Sequence, residues 1–400
     1  MSDVQVPAML WELARLVGAL LVLLGFISVS ALILVYAERK IAAFMQDRVG
    51  PLHVGKWGLL QSIADAMKLL AKEDFVPPQG DRWMFLLAPM AFLAPVVASF
   101  ALIPFSPLLT AADINVALVF IPALGSVGVI GIITAGWSSN NKYSLLGAFR
   151  AAAQIVSYEI PMILALVSGV MLAGSLSMSA VARAQESYWL VLVQPLGFAI
   201  YFVCALAETN RNPFDLPEAE SEIVAGYLTE YSGIRWAMFF LGEYGNMIIV
   251  SAIATTLFLG GWQGPILPGA IWFLGKMYFL LFVFIWIRST LPRLRADQLM
   301  ELCWKGLIPL ALFNVALTAL IVLALPGTYL LPLATVNWLL TAALVLIGPR
   351  IASRAVGFSP SARRAMGPAY GKAYSPAGLP LGRSQARTRT VADRSGGGGC

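Results

Sequence analysis

The stretch LVGALLVLLGFISVSALILVYA, residues 16–37, runs for 22 positions without a charged side chain. As a helix it would extend roughly 33 Å, enough to cross the hydrocarbon core of a bilayer. Comparable runs follow at 83–103, 116–136, 151–174, 188–207, 236–259 and 270–287. Residues 306–349 carry no charge at all, but Pro326, Gly327 and Pro332 divide them in two, the second part near 333–348. The pattern predicts an all-α polytopic membrane protein of about nine transmembrane helices, an eight-helix core with an extra C-terminal span.

Composition points the same way. Of 400 residues, 59% are hydrophobic and 12% charged, about half the charged fraction of a soluble domain. The net charge of +6 is misleading, because residues 350–400 hold nine of the 27 basic residues and a single acid, Asp393. Without that tail the balance is 18 basic against 20 acidic, which gives no argument for nucleic acid. Cys204, Cys303 and Cys400 are far apart and His53 is the lone histidine, so no spacing suits haem, structural zinc or an iron–sulfur cluster.

Lysine and arginine set the expected orientation. The segments after the first, third, fifth and seventh spans, with the tail, hold 24 of the 27 basic residues. The N-terminus is therefore expected outside and the C-terminus in the cytoplasm, with the first span an uncleaved one. Residues 1–349 form a membrane domain with long cytoplasmic loops at 38–82 and 208–235. Residues 350–400 read as a basic, disordered cytoplasmic tail that touches anionic headgroups. Within the first loop, Leu59, Leu60, Ile63, Met67 and Leu70 share one side at helical spacing, as in a helix lying in the membrane interface or packed on the bundle.

Ionisable residues inside a span are costly, and three occur: Glu159, Glu243 and Lys276. One reading is a buried ion pair that fixes helix packing. The other is a relay that carries protons between Glu159, Glu243, Glu208 and the acidic loop, extended by the hydroxyls of Tyr158 and Tyr244. The second reading gains weight from the loop, where Glu208, Asp215, Glu218, Glu220, Glu222 and Glu230 crowd around Arg211. Carboxylates packed together away from water cannot all ionise cheaply, so such a cluster takes up and releases protons. On the same side, arginines alternate with Gln46, Trp57, Gln61 and Phe214, a mixture of flat faces and hydrogen-bond donors that suits a greasy, carbonyl-bearing ligand such as a quinone.

Seven stretches, in order, carry a resemblance that covers about residues 10–320. They are Ala37-Glu38-Arg39-Lys40-Ile41; Gln46-Asp47-Arg48-Val49-Gly50-Pro51; Gly58-Leu59-Leu60-Gln61 through Lys72-Glu73; Arg150 to Gln154 with Ser157-Tyr158-Glu159-Ile160; Ala207-Glu208-Thr209-Asn210-Arg211 through Glu222; Thr229-Glu230-Tyr231-Ser232-Gly233; and Arg288 through Trp304-Lys305. Together they resemble the H subunits of bacterial NADH:quinone oxidoreductase, respiratory complex I, and their mitochondrial counterpart. The resemblance implies a translocase subunit of the bacterial inner (plasma) membrane that forms the quinone chamber and couples quinone reduction to proton translocation.

It also implies that this chain holds no metal or redox centre, FMN and the iron–sulfur clusters lying on partner subunits. The partners expected are the hydrophilic redox arm, the antiporter-like membrane subunits, quinone and lipid. Residue by residue, Arg39, Gln46, Arg48, Trp57, Phe214, Arg293 and Arg295 fall on the quinone tunnel, and Glu159, Glu208, Glu220, Glu222 and Glu243 on the proton path. The chain departs from the family pattern at Gly50-Pro51-Leu52-His53 and at Arg295-Ala296-Asp297, so His53 and Ala296 are given no quinone contact. Two rivals remain: the related membrane subunit of a membrane-bound hydrogenase, and a stand-alone ion/proton antiporter. Against the antiporter stand the missing inverted repeat and a large one-sided cytoplasmic surface.

Overall fold

A computed structural model describes residues 5–107, 109–216 and 225–355 of the chain. Every regular element among them is helical. The order is α1 (Gln5–Met45), α2 (Gln61–Ala71), α3 (Arg82–Phe100), α4 (Ala117–Ser138), α5 (Lys142–Ala173), α6 (Met178–Ala184) and α7 (Leu190–Val193), then α8 (Pro195–Glu208), α9 (Gly233–Phe258), α10 (Gly269–Thr290), α11 (Ala296–Glu301), α12 (Ile308–Ala324) and α13 (Leu330–Ala355). A π-helical turn, Leu302–Leu307, joins α11 to α12. The chain divides into two units, Met1–Thr341 and Ala342–Cys400. Residues 356–400, the greater part of the expected basic tail, lie outside the described residues.

Among the described residues, seven helices are long and apolar enough to cross a membrane: α1, α3, α4, α5, α9, α10 and the continuous run Ala296–Ala324. Two more apolar helices, Pro195–Glu208 and Leu330–Leu346, are shorter. The chain is a multi-pass, all-helical membrane protein. α9 is the innermost helix, with 72% of its most apolar stretch buried, against 22% for the peripheral α1. The main core therefore surrounds α9, drawing Tyr201 from α8, Tyr158 from α5 and Phe284 from α10.

Several helices overrun the apolar stretches from which they are expected. α1 continues to Met45, eight residues past the end of its charge-free run, and α5 begins at Lys142 rather than near 151. Charge marks where the bilayer ends, whereas caps mark where a helix ends. Asn141 starts α5 by accepting a hydrogen bond from the Tyr143 N–H at 3.0 Å. Asp81 starts α3 in the same way, accepting from Trp83 and Met84.

The expected fifth span, 188–207, is broken. Gln194 precedes Pro195 and leaves the helical region at φ −128°, ψ 62°, because a residue before proline is disfavoured there. A break within lipid must find hydrogen bonds from neighbouring helices. Gln194 Oε1 accepts from Ser168 of α5 at 3.1 Å and its Nε2 donates to Thr318 of α12 at 2.7 Å.

The interfacial helix of the first loop is α2, and its apolar side faces outward: Leu59, Leu60, Ile63, Met67 and Leu70 are all exposed. Its far end is tied to the start of α9, where Arg235 pairs with Asp74 at 3.0 Å and Ser232 donates to the Glu73 carbonyl at 3.0 Å. Gly147 brings α5 against the short turn Gly226–Leu228; a Cβ on it would lie 2.5 Å from the Gly226 Cα. That approach seats Tyr227 in the core.

Among the described residues Lys276 makes no ion pair with Glu159 or Glu243, so the ion-pair reading fails for it. Its ammonium donates to the carbonyls of Leu259, Gly261 and Gln263 at 2.6, 3.1 and 2.7 Å, just past the C-terminus of α9. The Trp189 ring lies 4.6 Å away. A cation at the negative end of a helix, holding three carbonyls, is a cap. Lys276→Met is expected to cost about 2–3 kcal/mol, the range for hydrogen bonds to a charged group. The check is a lower thermal unfolding midpoint of the detergent-solubilised protein; an unchanged midpoint contradicts the cap.

Candidate functional site

α1 leaves the apolar layer at Glu38, and this carboxylate gathers three other elements. It pairs with Arg288 from the last turn of α10 and lies 3.5 Å from Arg211 Nη1, in the loop after α8. The Tyr244 hydroxyl of α9 donates to its other oxygen at 2.5 Å. Arg211, only 6% exposed, also sits 4.6 Å over the Tyr244 ring. Residues 173 to 250 positions away in sequence thus meet on one acid.

The residues expected to face a quinone fall into two groups, one around the end of α1 and the other around the loop after α8. In the first, Arg39 pairs with Asp65 of α2, which also accepts from Gln61 at 3.0 Å, and the Trp57 carbonyl accepts from Tyr36 at 2.9 Å. Gln46 and Arg48 lie exposed on the turn that ends α1. In the second group Phe214 is buried, with its ring 5.6 Å from that of Tyr158. Gln154 of α5 pins the backbone there, donating to the carbonyls of both Ala207 and Phe214 at 2.7 Å. Leu294 N–H donates to the Pro213 carbonyl at 2.9 Å and Arg293 to that of Leu216 at 3.4 Å. The segment after α10 therefore lies against the start of the acidic loop, and Arg295 is exposed at the head of α11.

The acids of the expected relay sit on neighbouring helices. Glu243, 7% exposed on α9, accepts from the Tyr227 hydroxyl at 2.9 Å. Glu208 ends α8, and its Oε2 is buried without a hydrogen-bond partner among the described residues. Glu159 of α5 accepts from Ser126 of α4. Glu230 accepts from Asn141 at 2.8 Å, which ties the acidic loop to the cap of α5. Glu218, Glu220 and Glu222 lie outside the described residues. Of the two tyrosines expected to extend the relay, Tyr244 does meet a carboxylate. Tyr158 instead donates to the Leu299 carbonyl at 2.9 Å, which holds its proton on a backbone acceptor. Tyr231, outside the spans, stacks on Phe85 at 4.1 Å; burial pushes its hydroxyl up to about 12, so it stays a neutral donor.

Sequence reasoning did not count Glu38, Ser126, Gln154 or Tyr227 among the site residues. Glu38 had a signal, being the acid in the charged triplet that ends the first span. Ser126 and Gln154 are small or uncharged polar residues within apolar runs, and their partners lie 33 and 53 or more positions away.

Residues 18–319 match the family described as NADH dehydrogenase. The chain is 52% identical over 307 residues to the H subunit of the NADH-quinone oxidoreductase of Dehalococcoides mccartyi (strain CBDB1), covering 77% of this chain and 87% of that protein. It is 50% identical over 310 residues to the corresponding H subunit of Anoxybacillus flavithermus (strain DSM 21510 / WK1), covering 76% and 92%. It is likewise 50% identical over 316 residues to the H subunit numbered 2 of Geobacter sulfurreducens (strain ATCC 51573 / DSM 12127 / PCA), covering 76% and 96%.

Removing the Glu38 carboxylate takes the counterion from Arg288 and one carboxylate from the surroundings of Arg211. Glu38→Ala is expected to destabilise the protein by about 2 kcal/mol, less than for a fully buried pair because Arg288 is partly exposed. Glu38→Gln, which can still accept from Tyr244, is expected to lose less. Unfolding midpoints of the two variants check the order; equal midpoints for both and the unmodified protein would remove the knot from the account.

Proposed function

This chain belongs to the NADH dehydrogenase family and is a membrane subunit of NADH-quinone oxidoreductase; from that premise we propose that it forms a wall of the quinone chamber and couples quinone reduction to proton translocation. The quinone-facing residues in this proposal are Arg39, Gln46, Arg48, Trp57, Phe214, Arg293 and Arg295. The proton path comprises Glu243, Glu208 and Glu159, entered from the acidic loop through Glu220 and Glu222. The setting is the bacterial inner membrane, crossed nine times, with the N-terminus outside and the C-terminus in the cytoplasm. FMN and the iron–sulfur clusters belong to partner subunits, which deliver the electrons.

The observation that supports this reading most directly is the joining of the two groups of quinone-facing residues to the acids. Glu38 is hydrogen-bonded to Tyr244, the residue after Glu243. It also faces Arg211, three residues after Glu208. Reduction of a quinone takes up two electrons and two protons. Negative charge gathering on the quinone disfavours ionised carboxylates nearby, so the acidic loop and then Glu208, Glu243 and Glu159 change proton occupancy. Arg211 and Arg288 balance the charge of Glu38 through the cycle.

Two measurements on the assembled complex in liposomes test the proposal. Glu243→Gln and Glu208→Gln are expected to lower protons moved per NADH oxidised by roughly tenfold or more, since a positioned proton-transfer group contributes about 10²–10⁴-fold, with assembly retained. Ser126→Ala is expected to cause a smaller loss, since it frees Glu159 without neutralising it. Normal pumping by both glutamine variants would refute the path. A photoreactive quinone analogue is expected to label residues 38–61, 208–222 or 293–295, and labelling confined to other segments would refute the chamber.

A further inference from the structure

Between α3, α4, α8 and α9 lies a cavity of about 20 Å³, lined by Phe92, Ser99, Gly125, Glu208, Asn246 and Val250 among others. Such a volume admits one water molecule and not a chain of them. We infer that Asn246, with Ser99, holds a single water against Glu208, and that Asn246 is thereby a positioning residue for proton transfer between α9 and α8. The inference rests on the proton path proposed above and adds to it a specific site and residue.

Two independent features support the site. The first is the buried Glu208 Oε2, which takes no hydrogen bond from the described residues. In a largely apolar wall this oxygen needs a donor, and the cavity is where a donor fits. The second is the complementary set of polar groups around the space. The Ser99 hydroxyl already donates to the Pro95 carbonyl at 2.9 Å, so toward the cavity it can only accept. The Asn246 carboxamide can donate. A water there would receive a hydrogen bond from Asn246 and give its own two to Ser99 and Glu208, three partners in all, the usual number for a buried water.

Placement gives the water its role. Asn246 stands three residues after Glu243, on the same face of α9 and one turn on. The water therefore lies at the junction between the helix of Glu243 and the carboxylate of Glu208. In the proposed step the Glu243 carboxyl of α9 loses its O–H hydrogen to the water as the water's own O–H bond toward Glu208 Oε2 breaks and a new O–H bond forms on Glu208, leaving Glu243 ionised and Glu208 neutral. The water is neutral before and after, and Asn246 orients it without titrating. Gly125 helps keep the junction clear, since a Cβ there would stand 3.4 Å from Glu208 Oε1.

The test uses the assembled complex. Redox-induced infrared difference spectra in ordinary water and in water labelled with oxygen-18 read an internal water directly, and proton translocation per NADH oxidised is measured in liposomes. Asn246→Leu, of the same branched shape but apolar and bulkier, is expected to remove an oxygen-18-sensitive water band and to lower coupling several-fold. Asn246→Ser, which supplies a hydroxyl donor in place of the amide, is expected to restore much of both. Should Asn246→Leu fail to assemble, Ser99→Ala is read by the same band: its loss or shift supports the site and an unchanged band overturns it. Retention of the band and of coupling in Asn246→Leu, while Glu208→Gln loses coupling, overturns the water site and leaves the path intact. If Glu208→Gln also couples normally, the path itself is wrong.

Discussion

In a chain this apolar, a charge drawn below the lipid headgroups persists only where the protein supplies its partner, and the Glu38 carboxylate is where that constraint shapes the whole molecule. Four segments converge on it: its own helix α1, the loop carrying Arg211, the middle of α9 through Tyr244, and the end of α10 through Arg288. None of these contacts is local in sequence. Leaving Arg288 without its counterion in a low-dielectric setting is costly, so the knot sets the relative positions of these helix ends. The two groups of residues proposed to face a quinone lie next to it, one fixed to α1 through Asp65 and Trp57, the other to α5 through Gln154.

The buried charges divide by the kind of partner they have. Lys276 is held by three backbone carbonyls, which cannot titrate and cannot leave, so its charge serves the end of α9. Glu243 and Glu159 each accept from a hydroxyl, that of Tyr227 and that of Ser126. A hydroxyl both donates and accepts, so it can bond either the ionised or the protonated carboxyl by turning its hydrogen. The acids therefore have partners suited to two protonation states, whereas the lysine has partners suited to one. This difference in ligation supports a static role for Lys276 and a changing one for the acids, although all three are charges inside apolar helices.

Much of the architecture was legible in the sequence, for a physical reason: the bilayer forbids charge over a fixed thickness, so charge-free runs report spans. Helix ends were less legible because they answer to caps such as Asn141 and Asp81, not to the lipid boundary. The break at Gln194 could have been suspected from Pro195, but the side chains that make it tolerable, Ser168 and Thr318, are 26 and 124 positions away. The same limit applies to the site. The acids announce themselves by their rarity in apolar surroundings. Which hydroxyl or guanidinium each meets depends on contacts across tens to hundreds of positions, which periodicity does not encode.

One consequence of the knot bears on how distant events are linked. Tyr244, which bonds Glu38, is covalently adjacent to Glu243, and Arg211 is three residues beyond Glu208. Any change in charge at the Glu38 end of α1 alters the balance on Arg211 and on the Tyr244 hydroxyl, and both sit on the backbones that carry the acids of the proposed path. A chain of separate relays is then unnecessary for the first step. On the proposed path the same few side chains would meet charge from the quinone side and position the carboxylates on the other, so the proposed coupling requires only the rearrangement of hydrogen bonds around one acid rather than a movement of whole helices.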